Sequence, residues 1–234
     1  MTAAADAAPP SPLLLLLEGR ALAEYGALLL AWPLLGRLPR GDGHAVLVLP
    51  GFGASDASTE PLRRALRRLG YAAHGWELGR NLGMRRSLRA ALDARVEQLH
   101  REHGRLSLVG WSLGGVYARE LARDAPGRVR RVITLGSPFN HHPRANNADR
   151  VYRWLNGGDT GIDWEGFHRR RVPPPVPCTA IYSKSDGVVH WRCSMEDPAP
   201  NTENVEVGGS HLGLGVNVQV LRVIAERLAR PVAP

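Results

Sequence analysis

Short apolar runs alternate with stretches of helical periodicity from residue 44 to the end of the chain. A run that is apolar throughout is typical of a strand buried on both faces, and strand–helix alternation is typical of parallel pairing. The chain is therefore predicted to fold as an α/β protein, with a mostly parallel sheet of about six strands and helices on both faces. The predicted strands lie at 44–53, 71–78, 105–112, 128–138, 178–187 and 202–211.

Helices are predicted between most of these strands. Residues 84–103 carry apolar side chains at the spacing of one helix face, and residues 216–230 form an amphipathic C-terminal helix. In the first connection, Ser58 is predicted to cap a helix that ends at Gly70. The alternation breaks over 139–177, and this stretch is interpreted as a cap inserted into the α/β domain.

Residues 1–43 are predicted to form an N-terminal hydrophobic helical segment in front of an α/β domain that spans 44–234. The apolar part of the segment, 11–36, is interrupted by three charged residues, and its longest uncharged run is 25–36. A helix that spans a bilayer needs about 20 apolar residues. The segment is therefore predicted to form one or two helices, broken near Pro33, that either pack on the domain or lie in a membrane interface.

The N-terminus does not resemble a secretory signal, because Asp6 is the only charge before the leucines and no A-x-A cleavage site follows. The expected location is cytoplasmic, either free or peripheral to the inner membrane face through residues 11–36. The net charge of +8 comes almost entirely from arginine, with Lys184 as the only lysine. Nucleic-acid binding needs a clustered basic patch with interleaved aromatics, whereas these arginines are scattered over several predicted helices, so no nucleic-acid partner is expected.

A serine motif stands where the sheet is expected to bind its ligand, since open parallel sheets bind ligands beyond the carboxyl ends of their strands. The third predicted strand ends in Gly-Trp-Ser-Leu-Gly, which fits G-x-S-x-G with Ser112 at its centre. Such a strand-to-helix turn strains the serine, exposes its hydroxyl and places it at the positive end of the helix. Gly110 and Gly114 let the backbones approach closely. Ser112 is therefore predicted to be a nucleophile.

A serine nucleophile needs a base, and the base needs an orienting acid. On this architecture they follow the serine in the order acid, then histidine. Asp186 lies at the end of the fifth predicted strand, and His211 lies at the end of the last. The rivals are Asp163, which follows no strand, and His190, which is interpreted as lining the entrance or capping a helix. The predicted triad is therefore Ser112, Asp186 and His211.

These motifs together resemble the α/β-hydrolases of the lipase and esterase kind, over residues 44–230. The resemblance implies an oxyanion hole formed by the backbone amide of Leu113, next to the nucleophile, and by an amide of the loop after the first strand. In that loop the resemblance points to Phe52, with Gly53 as the alternative. Residues 134–143 also resemble a turn that borders the active site of lipases.

Several more residues are expected to contact substrate, although packing beneath the serine turn is the alternative for Trp111. Ester hydrolysis by a serine triad needs no cofactor. No metal is expected either, because the histidines after the fourth strand have no carboxylate or cysteine beside them at ligand spacing. Cys178 and Cys193 either form a disulfide or remain two buried thiols. The expected substrate contacts are Gly53, Trp111, Phe139, His141 and Trp154.

The activity that the resemblance implies is hydrolysis of a carboxylic ester through an acyl-enzyme. The apolar N-terminal helices and the aromatic cap favour a hydrophobic or lipid-like acyl chain. Activity is expected to rise with pH as His211 loses its proton, near the unperturbed value of about 6.5. An acyltransferase or a thioesterase would use the same triad. A membrane-associated binding module with an incidental triad is the alternative from a different functional class.

Overall fold

The sheet of this protein has six strands, all of which pair in parallel. In the computed structural model, which describes residues 8–140, 147 and 164–232, the strand order is β2-β1-β3-β4-β5-β6. The predicted fold class, a parallel sheet of about six strands with helices on both faces, is confirmed. The strands are β1 (Ala45–Leu49), β2 (Ala72–Gly75), β3 (Leu106–Trp111), β4 (Val129–Leu135), β5 (Cys178–Tyr182) and β6 (Thr202–Glu206).

Helices occupy the connections between the strands. Their bounds are α1 (Pro12–Leu16), α2 (Ala21–Ala31), α3 (Asp56–Arg68), α4 (Arg86–His103) and α5 (Leu113–Asp124), with further helices at Trp164–Arg171 and Val218–Leu228. Short 3-10 turns lie at Leu17–Arg20, Trp32–Arg37, Pro126–Arg128, Trp191–Ser194 and Leu214–Val216.

The start of α3 differs from the prediction. The helix begins at Asp56 with Ser55 at the N-cap position, and Ser58 lies inside its first turn. The Asp56 carboxylate accepts the backbone N–H groups of Trp76 and Glu77, at 3.0 and 2.9 Å, just after β2. Because of this long-range contact, the helix begins before Ser58, the N-cap that the local sequence predicted.

Two apolar layers enclose the sheet, because alternate side chains of a strand point to opposite faces. Val46 and Val48 of β1 pack in the layer that also holds the C-terminal helix, whereas Leu47 and Leu49 pack in the layer that also holds α4. The inner strands β1, β3, β4 and β5 are buried along almost their whole length, whereas the edge strands β2 and β6 are only partly buried. Their carboxyl ends therefore meet at one edge of a rigid core.

The N-terminal segment packs on the first of these layers. Leu28 of α2 and Leu35 are each only 2% exposed. The predicted break near Pro33 is present, since α2 ends at Ala31 and a 3-10 turn follows, as a proline without an N–H requires. Within the described ranges, no helix is both long and apolar enough to cross a bilayer. The boundary between this segment and the α/β domain stays a prediction.

Most of the predicted cap, 139–177, lies outside the described residues. Its described end is the helix Trp164–Arg171. The Arg119 guanidinium of α5 donates to the carbonyl groups of Arg170 and Val172, at 3.0 and 3.3 Å. The same guanidinium pairs with the buried Glu196 carboxylate. This arginine ties the end of the cap region to the helix that follows the serine turn.

Candidate active site

Ser112 lies in a strained turn between β3 and α5. Its backbone has φ 53° and ψ −122°, and Glu77 is the only other non-glycine residue of the described chain with positive φ. Such a conformation costs on the order of 1–3 kcal/mol and persists only where the surroundings enforce it. The Ser112 amide donates to the Leu135 carbonyl of β4 at 2.8 Å, which fixes the turn against the next strand. The residue has the geometry that the G-x-S-x-G motif predicted.

The glycines of the motif are required by close backbone packing. A Cβ at Gly110 would fall on backbone atoms of Gly114 and Gly115, inside the turn itself. A Cβ at Gly114 would lie 2.7 Å from both the Leu49 carbonyl carbon and the Pro50 carbonyl oxygen. The turn thus lies against the end of β1. The need for a glycine at position 115 was not predicted from the sequence. A Cβ at Gly115 would overlap a side chain in the turn that follows β4.

Asp186 and His211 meet beyond the ends of β5 and β6. His211 Nδ1 lies 2.6 Å from Asp186 Oδ2, and both side chains are buried. The other carboxylate oxygen, Oδ1, accepts the backbone N–H groups of Val188 and Val189 at 2.8 and 2.7 Å. Because a carboxylate can only accept, Nδ1 carries the proton and Nε2 is left as the acceptor. The pair therefore has the arrangement of a base held by its acid.

The pKa of His211 is raised above 6.5. Burial by itself lowers the pKa, but the charge and hydrogen bond of Asp186 and the charge of Glu18 outweigh burial. The predicted activity limb near 6.5 is therefore expected at higher pH. Among the described residues, no hydrogen bond joins Ser112 Oγ to His211. Such catalytic hydrogen bonds are often long before substrate binds and tighten in the complex.

The loop after β1 lies beside the nucleophile. A Cβ at Gly51 would be 3.3 Å from Ser112 Cβ and 4.0 Å from Ser112 Oγ. The Gly53 amide donates to the Asn81 carbonyl at 2.7 Å, so it is already engaged. This counts against Gly53 as the oxyanion donor, and the assignment of that role to Phe52 stays a prediction. Leu113 is the first residue of α5, where backbone amides have no acceptor within the helix.

Asn81 holds this loop in place and had no signal in the sequence. It is fully buried. Its side-chain amide donates to the Pro50 carbonyl at 2.9 Å, its backbone amide donates to the Ala54 carbonyl at 2.8 Å, and its side-chain oxygen accepts the Gly83 amide at 3.2 Å. One residue thereby fixes both ends of the loop that would supply an oxyanion donor.

The expected substrate contacts divide into four groups. Phe139 is fully buried and stacks under the Arg119 guanidinium at 3.8 Å, so its placement does not fit the expected contact. Trp111 is half-buried and donates its indole N–H to the His211 carbonyl at 3.1 Å, which matches the packing alternative. Gly53 borders the nucleophile loop, and its contact stays a prediction. His141 and Trp154 lie outside the described residues.

The rivals for the triad have other places. His190 caps the 3-10 turn Trp191–Ser194, where its Nδ1 accepts the Arg192 amide at 3.4 Å. Asp163 lies outside the described residues. Cys178 and Cys193 are both described, both are buried, and they form no disulfide with each other. Burial raises the pKa of Cys178 to about 11.

A second Ser–His–Asp cluster lies at the opposite end of the sheet. His44 Nε2 is 2.9 Å from Ser107 Oγ, and His44 Nδ1 contacts the Asp42 carboxylate. Ser107 is fully buried within β3 and has no strained turn beneath it. No substrate carbonyl could reach its hydroxyl, so this cluster is a structural network.

The N-terminal segment contacts the acid and histidine loops directly. Glu18 is 4% exposed and accepts backbone N–H groups of Gly187, His211 and Leu212. Glu24 accepts the Ser210 amide at 2.8 Å. In the sequence these two acids only interrupt an apolar run. They lie more than 160 residues from the amides that they bind, so no local pattern predicts these hydrogen bonds.

Comparison with known proteins identifies the family of this chain. Residues 12–161 match the family model of the α/β hydrolase fold. The chain belongs to this family. This α/β-hydrolase chain is 32% identical over 99 residues to a pimeloyl-[acyl-carrier protein] methyl ester esterase of Aliivibrio salmonicida (strain LFI1238) and 30% identical over 99 residues to that of Shewanella sp. (strain MR-7). The matches cover 42% of this chain and 37% and 36% of the two relatives, so they span little more than a third of the relatives' length.

Solved structures of the same fold include hydrolases of lipids. A monoglyceride lipase from Saccharomyces cerevisiae has TM-score 0.61 and 14% identity, over 84% of this chain and 90% of that chain. A monoacylglycerol lipase from Paleococcus ferrophilus has TM-score 0.58 and 16% identity, over 82% of this chain and 96% of that chain. At this identity the likeness shows the fold alone. The comparisons therefore show the α/β hydrolase fold of this chain.

Proposed function

We propose that this chain is a serine esterase that cleaves carboxylic esters through the triad Ser112, Asp186 and His211. One observation carries the proposal: a strained serine at the start of a helix lies at the same edge of the sheet as a buried, hydrogen-bonded Asp–His pair. Strain, a helix N-terminus and an oriented base are the elements that activate a serine hydroxyl.

The proposed reaction proceeds in two halves. His211 Nε2 takes the Ser112 proton while Oγ attacks the ester carbonyl, and the proton passes to the leaving alcohol as the C–O bond breaks. His211 then takes a proton from water as the water oxygen attacks the acyl-enzyme carbonyl, and it returns that proton to Ser112 Oγ as the Oγ–acyl bond breaks and the carboxylic acid leaves. Asp186 keeps the imidazole in one tautomer and stabilises its cation.

In the tetrahedral intermediate, the oxyanion is proposed to accept from the amides of Leu113 and Phe52. Each such donor contributes about 2.7–4 kcal/mol to transition-state stabilisation where one has been removed in other hydrolases. The Gly53 amide donates to the Asn81 carbonyl, which counts against Gly53, the alternative donor of the loop. The positive end of α5 adds to the same charge stabilisation.

A hydrophobic acyl chain is the proposed substrate class. Both acidic side chains of residues 11–36 face inward to the loop amides, so the outward face of this stretch is formed largely by leucines. Such a face favours contact with a lipid surface, and peripheral association through residues 11–36 is part of the proposal. Six leucines of the segment are more than half exposed: Leu13, Leu16, Leu22, Leu29, Leu30 and Leu34.

The second candidate is hydrolysis of an ester on an acyl group bound to a carrier protein. The two curated relatives are named as esterases of that kind of methyl ester, and this observation favours the candidate. A thioesterase or an acyltransferase would share the proposed acyl-enzyme. An assay with added alcohol separates transfer from hydrolysis, because a transferase passes the acyl group to the alcohol in preference to water.

Labelling with a fluorophosphonate probe tests the proposal. The wild-type chain is expected to incorporate one probe molecule and to hydrolyse p-nitrophenyl butyrate, and Ser112→Ala is expected to do neither while keeping its melting temperature. Ser107→Ala is the matched control, because it removes the hydroxyl of the buried second cluster. Labelling of folded Ser112→Ala at the wild-type rate would refute the assignment of the nucleophile, whereas a folded wild-type chain that does not label would favour a binding module.

A further inference from the structure

The Glu18 carboxylate joins the two loops that hold the base and its acid. One oxygen, Oε1, accepts the Gly187 amide at 2.8 Å and the His211 amide at 3.0 Å. The other, Oε2, accepts the Leu212 amide at 2.8 Å. Gly187 directly follows Asp186, so a single oxygen bridges the neighbour of the acid and the base itself.

Burial makes this contact costly to break. Glu18 is 4% exposed, and a buried carboxylate is tolerated only when donors compensate for its lost hydration. The donors here are three backbone N–H groups of the active-site loops. Replacing one carboxylate oxygen by an NH2 group would leave at least one of those amides facing a donor in the interior, so the loops would have to rearrange.

Other residues of the N-terminal segment also contact the loop that carries Asp186. A Cβ at Gly187 would fall on the Leu14 carbonyl group of α1, and the Arg20 guanidinium donates to the Ser185 carbonyl. The backbone of the acid loop thus lies directly against the N-terminal segment. Glu18 stands at the centre of this contact.

We propose that Glu18 is a positioning residue of the esterase, whose carboxylate joins the Asp186 loop to the His211 loop and so holds the imidazole in place for Ser112. The inference rests on the proposed function. It makes the N-terminal segment part of the catalytic machinery instead of a detachable anchor. Glu18 acts through the loops and does not touch the substrate.

The charges that face His211 come from two elements. Asp186 follows β5, and Glu18 lies in the N-terminal segment, and both raise the pKa of the imidazole. Glu24 and Arg20 lie nearby, 3.6 Å apart, and Glu24 binds the Ser210 amide. Loss of the Glu18 charge is therefore expected to move the acid limb of the activity profile to lower pH.

The test compares Glu18→Gln with Glu24→Gln, a matched change in the same segment that also contacts the histidine loop. In Glu18→Gln, kcat is expected to fall about ten- to a hundredfold with KM nearly unchanged, because small misplacements of a catalytic group carry losses of this size. The acid limb of kcat/KM shifts to lower pH in Glu18→Gln and stays at the wild-type position in Glu24→Gln. A purely structural anchor would not move the limb.

Folded Glu18→Gln with wild-type kcat and pH profile would overturn the inference. If that variant does not fold, Glu18→Asp decides: it keeps the charge but is too short for both loops. A reduced kcat in folded Glu18→Asp supports positioning, and a wild-type kcat refutes it. NMR titration of the His211 imidazole reads the same coupling without ester turnover. An inactive, unlabelled wild type would instead refute the proposed function.

Discussion

The backbones of Gly114 and the end of β1 approach closely in the candidate active site. The substitution Gly114→Ala would put a methyl group 2.7 Å from the Leu49 carbonyl carbon and the Pro50 carbonyl oxygen, and closer still to the Leu49 oxygen. These are backbone atoms and cannot turn aside as a flexible side chain could. The helix and the loop after β1 must therefore separate by about 1 Å before they reach ordinary contact.

Two consequences of Gly114→Ala follow from that separation. Overpacking of this kind costs about 1–3 kcal/mol, and each kcal/mol corresponds to about 2–4 °C in a chain of this size. The melting temperature is expected to fall by roughly 2–12 °C. The larger effect is on catalysis, because the loop that carries Phe52 moves away from Ser112. A misplacement of about 1 Å can cost on the order of a hundredfold in kcat.

Gly26→Ala is the control for Gly114→Ala. Gly26 lies in α2, and no atom lies within 4 Å of the position that an alanine methyl group would take there. Alanine is therefore expected to stabilise the helix by about 0.5–1 kcal/mol and to leave kcat unchanged. Circular-dichroism melting and p-nitrophenyl butyrate kinetics measure both variants. A Gly114→Ala protein with wild-type kcat would show that catalysis does not depend on the close approach of the serine turn to the β1 loop. That result would refute the proposed oxyanion geometry.

Two further predictions concern pH and the lipid surface. Because Asp186 and Glu18 raise the pKa of His211, kcat/KM is expected to fall as pH drops through a value above 6.5. An acid limb of the activity profile at or below 6.5 would contradict this arrangement. The double variant Leu22→Ser, Leu30→Ser is expected to bind phospholipid vesicles about tenfold less per leucine and to hydrolyse short soluble esters normally. Val172→Ser, which alters an exposed residue elsewhere, is the control, and equal vesicle binding by both variants would rule out residues 11–36 as the lipid contact.

The fold and the order of the proposed catalytic residues were readable from the sequence because they depend on local patterns. Continuous apolar runs predicted buried strands, and a glycine-flanked serine predicted the strained turn that Ser112 adopts. Parallel strands place their carboxyl ends at one edge, so Asp186 and His211 were expected together there. Their 2.6 Å contact agrees with that expectation.

Tertiary contacts decided what lies around these residues. The start of α3 depends on the bonds of Asp56 to the far side of β2, and Phe139 is withdrawn into the interior beneath Arg119. Glu18 and Asn81 bind loop amides and carbonyls that the chain brings near them only when it is folded. An acid in an apolar run and an asparagine in a loop have no distinguishing local pattern. Sequence alone determined which residues could react, and the packing of distant segments determined how those residues are held.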